Sequence, residues 1–144
     1  MKIILSIIIM FLSSHSFADE LEGKGLICDD ITAAGSLSYG FGFNFKKNGI
    51  YKKYAIARYG DELSVGNYAE QLYLTDATTI TLLNFIGNIN AYIDRKTLKL
   101  TYDKGYDAKA TCKVIQDGTL LLKLNEKAKI EQKLYDAQRK ENKI

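Results

Sequence analysis

Residues 46–59 hold five cations and no carboxylate: Lys46, Lys47, Lys52, Lys53 and Arg58 are interleaved with Tyr51, Tyr54 and Tyr59. Ammonium and guanidinium groups set among phenol rings suit polyanions, because the charges attract over distance while the rings add contact area and cation–π support. Lys52, Lys53, Tyr54, Arg58 and Tyr59 are therefore the candidate binding residues, with an acidic protein surface or an anionic glycan as the partner class. A plainer account of the same stretch is an edge strand whose lysines keep it from pairing with other chains.

The remaining chemistry is sparse. The only histidine, His15, falls within an N-terminal export signal, so the exported chain has none. Without imidazole there is no Ser–His or Cys–His nucleophile pair, no histidine general base and no ordinary zinc site. The carboxylates Asp29, Asp30, Asp61, Glu62, Asp76, Asp94, Asp103 and Asp107 are scattered over stretches that read mostly as turns, where Asp hydrogen-bonds its own backbone. No calcium-loop, phosphate-loop or nucleophile-elbow pattern is present. The chain has no Trp for deep indole stacking, and neither a recognition helix nor an RNA-binding signature. The sequence nominates no catalytic residue, no metal, no cofactor and no nucleic-acid partner, and it points to binding rather than catalysis.

The export signal spans residues 1–18: Lys2, an apolar run over 3–12 interrupted by Ser6, and Ser16-Phe17-Ala18 as the small-residue cleavage site before Asp19. A run of ten residues makes only about 15 Å of helix against a hydrocarbon core of about 30 Å, so no transmembrane anchor is expected after cleavage. Gly25-Leu26-Ile27 before Cys28 is a poor lipid-attachment signal. The expected location is periplasmic or secreted. Of 20 basic and 17 acidic side chains the signal holds one, Lys2, leaving 19 against 17 on a single domain of 126 residues. An even cysteine count in an oxidising compartment implies a Cys28–Cys112 disulfide, closing a loop worth about 4–5 kcal/mol in the chain-entropy model.

Most of the chain that positions these residues is written in period two. Leu37, Tyr39, Phe41, Phe43 and Phe45 alternate with Ser38, Gly40, Gly42 and Asn44, giving one bulky face and one nearly bare face. The two glycines mark a sharp bend or a close backbone approach, and Asn48-Gly49 turns the chain back into 50–59. Further strands are expected at 24–28, 69–74, 78–83, 88–93, 98–102 and 109–115, eight in all. This is a mainly β chain, an antiparallel meander forming a small barrel or a clipped sandwich, because the disulfide must bring the first and last strands within about 7 Å. The bulky face is core; its alternative is the lining of a barrel that carries a small apolar ligand. From Asn125, placed to cap, a C-terminal α-helix is expected over 125–144 after a β domain of 19–124, its thin apolar stripe leaving the end projecting or frayed. Residues 119–124 suit a ninth strand or a first helical turn equally.

A cysteine in the first strand, a meander and a cysteine in the last resemble small exported β proteins of the lysozyme-inhibitor type and uncharacterised exported proteins of marine bacteria. The resemblance implies inhibition of an envelope-targeting enzyme as a further role. The inhibitors' Ser-Gly-x-x-Tyr loop is not reproduced by Gly35-Ser36-Leu37-Ser38-Tyr39, so no functional residue is carried over.

Overall fold

The structure, a computed structural model, describes residues 20–30, 39–103, 109–116 and 118–142. The export signal lies outside the described residues, as do the first two positions of the strand expected from residue 37. Nine strands and one helix follow in order: β1 (Lys24–Asp30), β2 (Phe41–Lys46), β3 (Ile50–Tyr59), β4 (Glu62–Asn67), β5 (Gln71–Thr75), β6 (Thr79–Leu83), β7 (Ile89–Asp94), β8 (Lys99–Tyr102), β9 (Lys109–Gln116) and α1 (Leu120–Glu141). Strands β1, β2, β3, β5, β6, β7, β8 and β9 pair antiparallel with their neighbours, and β9 returns to β1. This closes an eight-stranded barrel, so the clipped sandwich is set aside.

Cys28 and Cys112 stand directly opposite each other across the closing β1–β9 seam, with Cα atoms 4.0 Å apart, and are joined by the disulfide. Both point into the barrel and are buried. The bulky face of β2 fills the same interior: Phe41 meets Phe43 edge-on at 5.7 Å, Phe43 meets Tyr51 at 5.7 Å, and Phe45 meets Tyr73 at 5.0 Å. Leu82, Ile93 and Leu100 complete the packing. The described hollow that reaches interior-facing Leu26, Phe45 and Ile80, at one barrel end, measures about 140 Å³. Pockets that hold small ligands run to roughly 300–1,000 Å³, so the packed interior gives no support to a carried ligand.

Strand β4 is absent from the sequence-based expectation. It pairs with the second half of β3, from Tyr59↔Glu62 to Tyr54↔Asn67, and stands outside the ring. Glu62, Gly66 and Asn67 are poor strand formers, and only Leu63 and Val65 alternate as apolar positions, so the local signal is weak. The edge-strand account fails for the lysines of 46–59: β3 pairs with β2 over Ile50 to Ala55 and with β5 and then β4 along the other side, and only its end, 57–59, is paired on one side alone among the described residues.

The helix begins at Leu120, which moves the boundary between sheet and helix to 119/120 and settles 119–124 as helix rather than a ninth strand. Asn125 sits inside the helix and caps nothing; Thr119 holds the N-cap position, its hydroxyl donating to the Gln116 carbonyl at 2.7 Å. Tertiary packing decides the outcome. Leu120, Leu124 and Ala128, spaced by four, are buried in a second core with Ile56 and Ile115, flanked by Ile27, Leu63 and Val65. Gly42 makes the approach possible: a Cβ there would fall 2.5 Å from the Leu26 carbonyl oxygen and nearer still to Leu120 Cδ1. At Gly40, where φ is +119°, the stem of Lys127 lies against the bare backbone before its ammonium pairs with Asp29. The bare face foreseen for this strand is thus the seat of the helix.

The second half of α1 does not fray into solvent. It runs beside the β3–β4 hairpin, where Gln132 accepts from the Leu63 backbone N–H (2.6 Å) and donates to the Asp61 carbonyl (2.9 Å). Arg139 pairs with Asp61 at 2.7 Å.

Candidate functional site

Alternation along β3 splits the five nominated residues between two faces. Tyr51 points into the barrel and Ile56 under the helix, so Lys52, Tyr54 and Arg58 share the outer face with Ile56, while Lys53 and Tyr59 share the inner one with Tyr51. The sequence treats them as one patch; the structure makes two, because successive side chains of a strand point to opposite sides.

On the outer face, the Lys52 ammonium lies 5.6 Å from the centre of the Tyr54 ring. At the hairpin end, the Arg58 guanidinium lies over the Tyr135 ring at 5.5 Å, and its Nη1 donates to the Tyr135 hydroxyl at 3.4 Å. Arg139 approaches the same ring at 5.9 Å while holding Asp61. One phenol of the helix therefore sits between two guanidinium groups, one from the hairpin and one from its own next turn. Behind it, Tyr39, Glu131, Leu134, Tyr135 and Gln138 line a hollow of about 260 Å³. On the inner face, the Lys53 ammonium sits between the rings of Phe41 (5.2 Å) and Tyr68 (5.3 Å). Tyr59 is exposed, its hydroxyl beside Gly66.

The cations of this region fall into two classes. Lys46 and Lys47 are ion-paired with Glu70 and Glu22. Their pairing holds the Lys46 ammonium above its usual pKa and the Glu70 carboxyl below its own, through the hydrogen bond between them. Lys52 and Arg58, by contrast, have no carboxylate within ion-pair distance among the described residues and rest on rings, which do not neutralise the positive charge, though the Lys52 ammonium still acts at longer range on the Glu70 carboxyl. Sequence reading missed Tyr135 and Arg139, which come from the helix more than seventy positions along the chain. Their i, i+4 spacing, which places a phenol and a guanidinium on one helical face, is the signal that was there to be used.

Inside the barrel mouth, the Tyr51 hydroxyl lies between the Leu83 carbonyl (2.8 Å) and the Gln71 side-chain oxygen. Burial pushes its pKa up to about 12, against an opposing hydrogen bond with Asn90. This is a neutral structural phenol, with no base beside it to make it a nucleophile.

Among the described residues no group of three or more His, Cys, Asp or Glu side chains is placed to hold a metal ion, and no helix is long and apolar enough to cross a membrane. Nothing in the described geometry points positively to catalysis. No protein-family model, no curated protein and no solved structure matches this chain.

Proposed function

We propose that this chain is an exported binding module of the periplasm or the extracellular space, meeting an acidic protein surface or an anionic glycan with the outer face of β3 and the adjoining flank of α1. Arg58 is the anchor, presented by the projecting hairpin and oriented by Tyr135; Lys52 with Tyr54 extends the basic surface, and Lys53 and Tyr59 serve the opposite face. The observation that carries this reading is that Arg58 and Lys52 lie on phenol rings with no carboxylate within ion-pair distance among the described residues. A planar guanidinium held over an aromatic ring still offers N–H groups in a fork that fits carboxylate, sulfate or phosphate oxygens. The Cys28–Cys112 disulfide supports an oxidising compartment. An envelope-targeting enzyme with an acidic cleft, inhibited by this contact, is one partner of the right charge.

The test is retention on immobilised heparin and on immobilised polyglutamate along a salt gradient. Arg58→Glu and Lys52→Glu should each elute at lower salt than the unaltered protein, and the double variant lower still. Lys123→Glu, an equal change in net charge on an exposed helical position, should shift elution far less. Equal shifts for all three reversals would reduce the effect to net charge and overturn the assignment.

A further inference from the structure

Between residues 71 and 93 the chain carries a single charged side chain, Asp76, in a protein whose charged fraction is 26%. The fold gathers this stretch into one wall. Tyr73, Ile80, Leu82, Ala91 and Ile93 point into the barrel, which leaves Leu72, Leu74, Thr79, Thr81, Leu83 and Tyr92 on the outer side of β5, β6 and β7. Register sets Leu74 beside Thr81 and Thr81 beside Tyr92. The helix packs on β1 to β4 and leaves this wall uncovered. Leu72 is 55% exposed, Leu74 61%, Ile89 40% and Tyr92 36%, and the turn from β6 to β7 adds Phe85 at 83% and Ile86 at 64%. With roughly 200 Å² for a fully exposed side chain of this size, these fractions leave on the order of 600–700 Å² of mostly apolar surface on the described residues. That is the upper end of the largest patch on a typical monomer, and close to the ~800 Å² that each partner contributes to a standard interface.

The turn is built to hold its apolar pair outward. The Asn84 side-chain oxygen accepts from the backbone N–H of Ile86 and of Asn88, both at 3.0 Å. Gly87, at φ +83°, donates to the Asn84 carbonyl at 3.0 Å, and the Asn84 N–H donates to Asn88 at 2.8 Å. Beside this knob lies an open hollow of about 680 Å³ lined by Asn84, Asn88, Ile89, Tyr92 and Asp103. We propose that the wall formed by β5, β6 and β7 is the seat of a second copy of the chain, related by a two-fold axis that brings the Phe85–Ile86 knob of each copy to the hollow of the other. A knob and an adjoining hollow on one surface are the self-complementary pair that an isologous contact requires. The absence of lysine and arginine between residues 71 and 93 fits the same occupant: on a net basic chain, this wall lets two copies meet without setting lysine against lysine, and the charge lining the hollow is the Asp103 carboxylate.

Sedimentation velocity and light scattering on the disulfide-intact exported protein, from micromolar to near-millimolar concentration, should give twice the chain mass at the upper end. Phe85→Asp and Leu74→Lys, both at exposed positions, should each weaken association at least a hundredfold with an unchanged far-ultraviolet spectrum. A monomer throughout the range, or a dimer indifferent to both variants, overturns the proposal. So does a monomer that floats with phosphatidylglycerol vesicles, which would assign the wall to lipid. Loss of heparin retention in Arg58→Glu bears on the basic surface and leaves this assignment untouched.

Discussion

Adding one methyl group at Gly42 should loosen the whole assembly of barrel and helix. The backbone at Gly42 is ordinary strand, so Gly→Ala there would by itself gain about 0.5–1 kcal/mol by restricting the unfolded chain. The new Cβ, however, falls 2.5 Å from the Leu26 carbonyl oxygen, which belongs to the backbone of β1 and cannot rotate away, as well as against Leu120 Cδ1. There are two ways to relieve the clash. Lifting the first turn of α1 exposes Leu120 and Leu124, both at 0%, at about 1.5–3 kcal/mol each, and still leaves the carbonyl contact. Parting β1 from β2 near Leu26↔Phe43 strains a packed core at about 1–3 kcal/mol, occasionally more. The second route is the cheaper, and with the backbone gain subtracted Gly42→Ala should destabilise by about 1 kcal/mol, lowering Tm by roughly 3–5 °C for a domain of this size. Gly66→Ala is the control, since a Cβ there meets nothing closer than the Tyr59 hydroxyl at 3.4 Å and should be neutral or slightly stabilising. Scanning calorimetry on both variants, with amide exchange across 120–128, decides the matter. Equal melting temperatures for the two would refute the claim that the helix is seated on a bare glycine.

Two further outcomes are expected. Replacing both cysteines by alanine removes the staple across the closing seam, 84 positions apart in sequence, and should lower unfolding free energy by about 4–5 kcal/mol in urea titrations, far more than a typical exposed substitution. The buried Tyr51 phenol, raised from 10.0 to about 12, adds stability that is complete below pH 10 and is lost as pH rises from 10 towards 12, because the unfolded chain releases this proton first. Absorbance of phenolate should show a late step that Tyr51→Phe removes, while the same variant destabilises at neutral pH by about 1–3 kcal/mol through the stranded Leu83 carbonyl and Gln71.

Period-two patterning was enough to reveal the barrel wall, because alternation is a local property that any strand with one buried face must show. Phe41, Phe43 and Phe45 sit on the inner face as expected, and the disulfide pairs the first strand with the last. The same patterning failed at Glu62–Asn67, where two apolar residues among poor strand formers carry too little signal, and β4 forms because β3 is long enough to offer it an edge. At 119–124, Leu120, Leu122 and Leu124 fit a strand and Leu120, Leu121 and Leu124 fit a helix; only the groove above Gly42, on a strand nearly eighty residues earlier, selects the helix. The candidate site divides in the same way. Its cations on β3 are visible as a run, but their separation onto two faces and the helical contribution of Tyr135 and Arg139 depend on how α1 lies along the hairpin.

By itself, the order of residues determined which side chains share a strand face, which two sulfurs remain to pair, and which kinds of chemistry are missing, since each follows from composition or from neighbours a few positions apart. The tertiary structure alone decided that the closed sheet is a barrel and not a clipped sandwich, why one face of β2 is bare, which lysines are neutralised by carboxylates and which rest on rings, and which wall the helix leaves uncovered. Those outcomes are set by contacts between segments tens of residues apart, whose energies depend on shape and burial and leave no local periodicity to be read.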